Sequence, residues 1–369
     1  MRNVYGHLLT LTLFGESHGV SVGAVLDGIA PGIPVDETLI RAKLTQRRPQ
    51  SGISSARVEA DEYTIESGVW GGYTTGAPLC IRISNRDVRS GDYDALQGAV
   101  RPGHCDYPAA CRFGGFEDAR GGGHFSGRLT AAIVAAGAIV SGALLSKGVR
   151  IATHLSGCAG VSDRAFDFEH LDADMDALDA SLFPVLDETA GGAMRAAILD
   201  AKTDGDSVGG VLETIVTGLP AGLGEPWFGS VEGMLSNGLF SIPAVKGVEF
   251  GDGFALADRR GSQTNDAYRM RDGRVVTETN HMGGIGGGIT NGMPLVFRCA
   301  VKPTPSISRE QDSVNLSQGQ NIRLSIPGRH DPCIAPRVRA VVDAVTALTL
   351  ADLYVMRYGT DALANGNKS

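Results

Sequence analysis

The chain has 369 residues, 43% of them hydrophobic, and 41 acidic against 33 basic side chains for a net charge of −8. That length and apolar content suffice for a full core in one large domain or two. The acidic balance, without a Lys/Arg run or an interleaved aromatic stripe, excludes nucleic acid as the main partner. Six cysteines with no CxxC pair, and no signal peptide ahead of them, point to reduced thiols in the cytoplasm, without zinc or disulfides.

A strand is predicted over 8–14, running into Gly15-Glu16-Ser17-His18-Gly19. Adjacent residues on a strand face opposite ways, so Ser17 and His18 are not expected to form a nucleophile–base pair by themselves. Further strands are predicted over 22–30 and 78–84, with Arg101-Pro102-Gly103-His104 in the loop beyond them. Arg120-Gly121-Gly122-Gly123-His124-Phe125-Ser126-Gly127-Arg128 then opens an uncharged stretch, 129–146. The stretch is long enough for a membrane span, but it is mostly Ala, Gly, Val and Ile, which suits a helix packed tightly on all sides. A buried central helix is expected, and no membrane partner. The acidic stretch 163–187 lacks the glycine and terminal glutamate of a calcium loop and reads as a solvated insertion. Strands over 208–217 and 294–301, the segment Arg329-His330-Asp331-Pro332, and a helix over 338–354 complete the chain.

Two halves echo each other. Ser21-Val22-Gly23-Ala24-Val25-Leu26 matches Ser207-Val208-Gly209-Gly210-Val211-Leu212, with Gly32 and Pro34 falling on Gly218 and Pro220. The segment from Gly71 to Leu79 matches Gly287 to Leu295, and Arg128 matches Arg337, each ahead of an apolar helix. Shared order implies pseudo-repeat halves, about 1–150 and 190–369, in a single composite domain over 1–369 with its site where they meet. The expected fold class is α+β, with antiparallel sheets enclosing two long apolar helices.

Four of the eight histidines lie in Gly- and Arg-rich loops, and arginine outnumbers lysine 27 to 6. Imidazole moves protons near neutral pH, guanidinium forks onto phosphate and carboxylate, and glycine lets backbone N–H groups approach an anion. Together they predict acid–base chemistry on a small anionic substrate. The loop 120–128 is neither a Walker loop nor a Rossmann fingerprint, and no HxxxH or HExxH spacing supports a metal.

Phe14-Gly15-Glu16-Ser17-His18-Gly19, Arg47-Arg48-Pro49, Arg101-Pro102-Gly103-His104, Arg120-Gly121-Gly122-Gly123, Gly127-Arg128-Leu129-Thr130-Ala131, Ala244-Val245-Lys246-Gly247-Val248-Glu249, Arg260-Gly261-Ser262 and Arg329-His330-Asp331-Pro332-Cys333 occur in this order. With them the chain resembles the chorismate synthases from Gly6 to about Asp352. The resemblance implies a β-α-β sandwich, a homotetramer, and the conversion of 5-enolpyruvylshikimate-3-phosphate to chorismate with reduced FMN, by loss of phosphate and a ring proton.

Carried onto this sequence, the resemblance makes His18 and His104 acid–base groups and Asp331 the acid near the flavin. Cofactor contacts fall on Arg47, His124, Phe125, Ser126, Asn237, Gly238, Gly287, Lys302, Pro303, Thr304, Pro305, Ser306 and Arg329. Substrate anions fall to Arg48, Arg128 and Arg337. Two positions depart from the family pattern: His124-Phe125 replaces the commoner Arg-Ser, and Ile53-Ser54 stands where an arginine often follows Arg47-Arg48-Pro49. No reductase domain is visible, so NADPH enters only as an external source of reductant, through a separate flavin reductase. The competing reading is a non-catalytic flavin- or phosphate-binding regulatory module. Binding alone needs the Arg and Gly groups but neither histidine nor Asp331, which speaks against it.

Overall fold

The computed structural model describes residues 2–50, 52–54, 60–86, 98–326 and 330–364. Arg329 lies outside the described residues. Among those described there are eight α-helices: α1 (Glu37–Arg47), α2 (Asp106–Phe113), α3 (Thr130–Leu145), α4 (Leu171–Ala180), α5 (Glu188–Thr203), α6 (Val231–Ser241), α7 (Gly261–Thr264) and α8 (Ala335–Tyr358). Their starts follow local chemistry. The Asp36 carboxylate accepts from the Thr38 and Leu39 amides, Ser230 accepts from Gly233, and Pro336 occupies the first turn of α8, where its missing N–H costs nothing.

The architecture is α+β, with two five-stranded antiparallel sheets of the same design. The first runs in space Val4–Tyr5, Thr10–Gly15, Ser21–Asp27, Leu79–Ser84, Tyr63–Ser67. The second runs Val161–Ser162, Arg150–Cys158, Gly210–Thr217, Leu295–Val301, Val245–Phe250. Helix α3 packs on the first sheet, α8 on the second, and the two helices pack on each other. They run in the same direction: the Arg47 side chain bonds Thr130 while its carbonyl accepts from Arg337, Gly137 meets Ala344 midway, and Lys147 reaches the Ala364 carbonyl beyond the far ends. The apolar stretch that resembled a membrane span is therefore a core helix, 83% buried. A Cβ on Gly137 would lie 2.4 Å from the Ala344 Cβ and 2.7 Å from its Cα, so the helices approach this closely only because position 137 is glycine.

The two sheets share one clasp, in a register that differs from the ungapped sequence match. Thr74 clasps the first half: its hydroxyl accepts from Ile33 N at 2.9 Å and donates to the Ala30 carbonyl at 2.6 Å, while its own carbonyl accepts from Gly32 N. Thr290 repeats the clasp with Leu223 N at 2.9 Å, the Pro220 carbonyl at 2.7 Å and Gly222 N. Gly32 thus corresponds to Gly222, four residues beyond the expected Gly218. A slip by an even number keeps the inward and outward faces in phase, so the apolar pattern matches equally well in both registers. Strand Arg150–Cys158 also belongs to the second sheet, which begins that half well before residue 190.

The acidic stretch 163–187 contains α4, and its last residue, Asp187, caps α5 by accepting from the Thr189 amide. Asp172 and Asp176 pair with Arg150, Asp179 pairs with Lys43, and the buried Asp174 pairs with Arg164. All six cysteines are free thiols, with the Cys158 and Cys333 sulfurs 3.9 Å apart.

Candidate active site

The first sheet's strand Thr10–Gly15 ends at Gly15, and Ser17 and His18 sit in the turn beyond it. Strand alternation no longer applies there, and the opposite-faces premise for Ser17 and His18 fails: Ser17 Oγ lies 3.2 Å from His18 Nδ1. The three-glycine loop docks on this turn through Ser17 N to the Gly123 carbonyl, 3.1 Å, and His124 Nδ1 to the Gly15 carbonyl, 2.8 Å. All three glycines have positive φ. A Cβ on Gly121 would lie 2.0 Å from His18 Cε1, and one on Gly122 would lie 3.5 Å from His104 Cε1 and 3.9 Å from the Ser126 Cβ. The loop therefore runs between the two histidines, and a side chain at Gly121 would collide with one imidazole. Ser126 caps the turn into α3 by accepting from Arg128 N.

His104 stands on the far side of the loop. Its Nδ1 is 2.8 Å from Asp106 Oδ1, and Asp106 also accepts from the Arg101 amide at 2.9 Å and from its guanidinium at 2.6 and 2.8 Å. Burial pushes the Asp106 carboxyl up, but the Arg101 and His104 hydrogen bonds outweigh it and hold the group well below the usual carboxylate range. His104, Cys105 and Asp106 offer three ligand atoms within 4.8 Å of one another, but the carboxylate is already engaged by Arg101.

The second half reaches the same loop through residues 302–306. Lys302 Nζ donates to the Gly103 carbonyl at 2.6 Å, Pro305 lies beside Gly103, and the Thr304 carbonyl accepts from Ser207 Oγ. Burial, reinforced by Lys246, pushes the Lys302 ammonium down. Pro303 packs over Gly209, Ser306 is buried, and Thr304 Oγ1 is buried without a hydrogen-bond partner.

Arginines join the two helix starts. Arg47, buried at the end of α1, donates to Asp61 Oδ2 at 2.9 Å, Thr130 Oγ1 at 2.9 Å and the Gly127 carbonyl at 3.0 Å. Arg128 pairs with the other oxygen of Asp61 and donates to Asn85 Oδ1, whose amide holds the Glu16 and Gly19 carbonyls at 2.9 Å each. Arg337 donates to the Arg47 carbonyl and pairs with Asp331. Arg128 and Arg337 are thus linked only indirectly, through Asp61 and the side chain and carbonyl of Arg47, and their contacts are with these groups and not with His104. Asp61, Asn85 and Asp106 were not anticipated. Asp61 and Asn85 lie outside any recognisable motif, whereas Asp106 stood two residues from His104, at hydrogen-bonding range for a turn.

Asn237, Gly238 and Gly287 lie on another part of the fold, α6 and the turn beside its start. Gly238 is buried in α6, where a Cβ would meet Tyr5 Oη and Val345 Cγ1 at 2.7 Å. Val345 is eight residues along α8 from Arg337, about 12 Å of helix rise. Asn237 is exposed on α6, and Gly287 is exposed in a turn whose neighbour Gly288 accepts from the start of α6. Phe125 is half exposed with its ring edge-on to Phe113, and Arg48 donates to the Ala60 carbonyl while its Nε is buried without a partner.

The chorismate synthase family model matches residues 9–355. The chain is 46% identical over 358 residues to the chorismate synthase of Aeropyrum pernix, covering 96% of this chain and 93% of that one. It is 44% identical over 352 residues to that of Pyrococcus abyssi, covering 95% and 97%. A crystal structure of chorismate synthase superposes with a TM-score of 0.76 at 28% identity, covering 96% of this chain and 94% of the other. Two matched sheets, a glycine loop between two histidines, and similarity along nearly the full length lead to one assignment: this chain belongs to the chorismate synthase family.

Proposed function

We propose that the cluster formed by His18, His104, the Gly121–Gly123 loop and the starts of α3 and α8 is where this chain performs the family's reaction. The chain is a lyase of the shikimate pathway, acting on a small molecule with a reduced flavin. In the reaction 5-enolpyruvylshikimate-3-phosphate loses phosphate by C–O cleavage and a ring proton by C–H cleavage, leaving a new C=C bond in chorismate with no net redox change.

The observation that carries the reading is the glycine loop held between the imidazoles, since backbone amides and a helix start suit a phosphate within reach of an acid. His104 gives a proton to the departing phosphate. His18 adjusts protonation on the flavin side, and Asp331, oriented by Arg337, assists proton transfer there. Arg337 and Arg48 balance the substrate's anionic groups at close range. Arg128, bound to Asp61, contributes positive charge from behind the loop.

The flavin is FMN, held by His124, Phe125, Ser126, Arg329 and residues 302–306. The buried, partnerless Thr304 hydroxyl and the Lys302 ammonium fit a polar, anionic cofactor. When bound, reduced FMN supplies electron density transiently to the breaking C–O bond. NADPH serves only as the reductant of a separate flavin reductase.

One composite unit, a β-α-β sandwich, accounts for the core shared by both halves. Association with further copies, a homotetramer on the family resemblance, is supported by the nearly fully exposed Phe116, Trp227, Phe228 and Phe254, which association would cover. Asn237 and Gly287, both exposed, then approach cofactor from another part of the assembly, while Gly238 lets α6 pack closely on Tyr5 and α8.

The test is an anaerobic assay with reduced FMN and 5-enolpyruvylshikimate-3-phosphate, following chorismate. His18→Ala and His104→Ala each lower kcat by roughly 10²- to 10⁴-fold with the fold retained. A folded variant that turns over at the wild-type rate removes that histidine from the chemistry.

A further inference from the structure

We propose that Asp106, clamped by Arg101, is a positioning residue for His104 that fixes the proton on Nδ1 and leaves Nε2 as the atom that gives and regains the catalytic proton. The inference rests on the reading of His104 as an acid–base group. An ionised carboxylate only accepts hydrogen bonds, so at 2.8 Å from Asp106 Oδ1 the His104 Nδ1 must carry a hydrogen. The ring edge turned to the glycine loop is the opposite one, Cε1 and Nε2, at 3.5 and 3.7 Å from the Cβ position of Gly122. Nδ1 points away from the loop and Nε2 toward it.

Two competitors for Nδ1 fall away. Cys105 Sγ is 3.3 Å from it, but burial pushes that thiol up, so it stays neutral and a weak partner. Rotation of the carboxylate is blocked because Arg101 grips both oxygens, with Nε and the backbone amide on Oδ2 and Nη2 on Oδ1. When His104 transfers its Nε2 proton, Nδ1–H remains bonded to Asp106, and the neutral ring is left in the one tautomer whose bare nitrogen faces the site. Asparagine at 106 accepts from Arg101 through its oxygen and turns its NH₂ toward Nδ1. That favours the opposite tautomer at nearly unchanged volume, with loss of the Arg101 Nη2 bond to Oδ1 while the two bonds to Oδ2 remain.

Asp106 also begins α2, where a carboxylate favours the helix start for purely structural reasons. The experiment separates the two roles with a double-mutant cycle in the full-length protein, under the anaerobic assay with reduced FMN. Asp106→Asn lowers kcat by roughly 10²- to 10⁴-fold with KM within about threefold, and Asp106→Glu, which keeps the acceptor, recovers part of the loss. In the His104→Ala background Asp106→Asn causes no further loss. A wild-type kcat in Asp106→Asn, or a full multiplicative loss in the double variant, overturns the proposal while His104 keeps its role. A wild-type rate in His104→Ala alone overturns both. If Asp106→Asn does not fold, Arg101→Gln, which releases the clamp, is carried through the same cycle and judged by the same outcomes.

Discussion

Helices α3 and α8 occupy matched places in the two halves and bury most of their length, yet they are held differently. In α3 the buried residues are Ala, Gly, Val, Ile and Leu, with Thr130 at the first turn the sole buried polar one. Helix α8 buries Arg339, Asp343, Thr346, Thr349 and Asp352 along its body. Each charged group ties it to a distant part of the chain. Asp352 accepts from the His7, Leu8 and Leu9 amides at 2.8, 2.9 and 3.0 Å, Asp343 accepts from Thr153, and Arg339 donates to the Leu178 and Ser181 carbonyls at the end of α4. In the first half four of the described buried polar groups, Arg47, Asp61, Arg128 and Thr130, gather at the candidate site, while Thr74 holds the clasp beside the sheet. Duplicated frameworks have diverged in this way: shape fixes α3, and directional polar contacts fix α8.

Two substitutions break that contrast from either side. Gly137→Leu drives a side chain into the Ala344 backbone and is expected to cost about 3 kcal/mol, the upper end for overpacking. Asp352→Ala removes the acceptor from three amides, one of them buried, for about 2 kcal/mol, with protection of the N-terminal amides from hydrogen exchange lost first. Denaturant unfolding at fixed protein concentration reads both. A neutral Gly137→Leu would show that the helices are not fixed by their close approach.

A smaller, pH-dependent effect sharpens the same contrast. On strand Arg150–Cys158, His154 is fully buried between Asp163, 2.8 Å from Nδ1, and Glu213, 3.0 Å from Nε2. Burial alone pushes this imidazole down, but its two carboxylate partners outweigh that and raise it above its ordinary value, while Asp163 is lowered. A raised histidine stabilises the fold fully below its unfolded pKa of about 6.5, and that contribution is lost as pH rises through the folded value. Thermal scans of wild type and His154→Asn are expected to differ most near pH 6 and to converge toward alkaline pH. A constant difference across that range would mean the ring is held neutral.

Much of this arrangement was legible in the sequence because it depends on local pattern. An uncharged Ala/Gly/Val/Ile stretch has no reading as a soluble surface helix, and alternating strands beside glycine turns fixed the sheets closely. Long-range polar choices were not legible. Nothing near Asp61 announces that it will join Arg47 to Arg128, and nothing in Asn85 announces its hold on the His18 turn. The repeat register failed because alternation is blind to an even slip, and Ser17 with His18 failed because the strand stops at Gly15. The placement of Asn237, Gly238 and Gly287 away from the histidines follows from helix and turn packing that the family motifs do not encode.

A structure with FMN and 5-enolpyruvylshikimate-3-phosphate bound tests the central claim most directly, that both halves build one site around the Gly121–Gly123 loop. The account predicts the substrate phosphate against that loop, within hydrogen-bond reach, about 3 Å, of His104 Nε2, with the flavin beside residues 302–306. Ligands bound along α6 and the Gly287 turn, with both His18 and His104 out of reach, would contradict it.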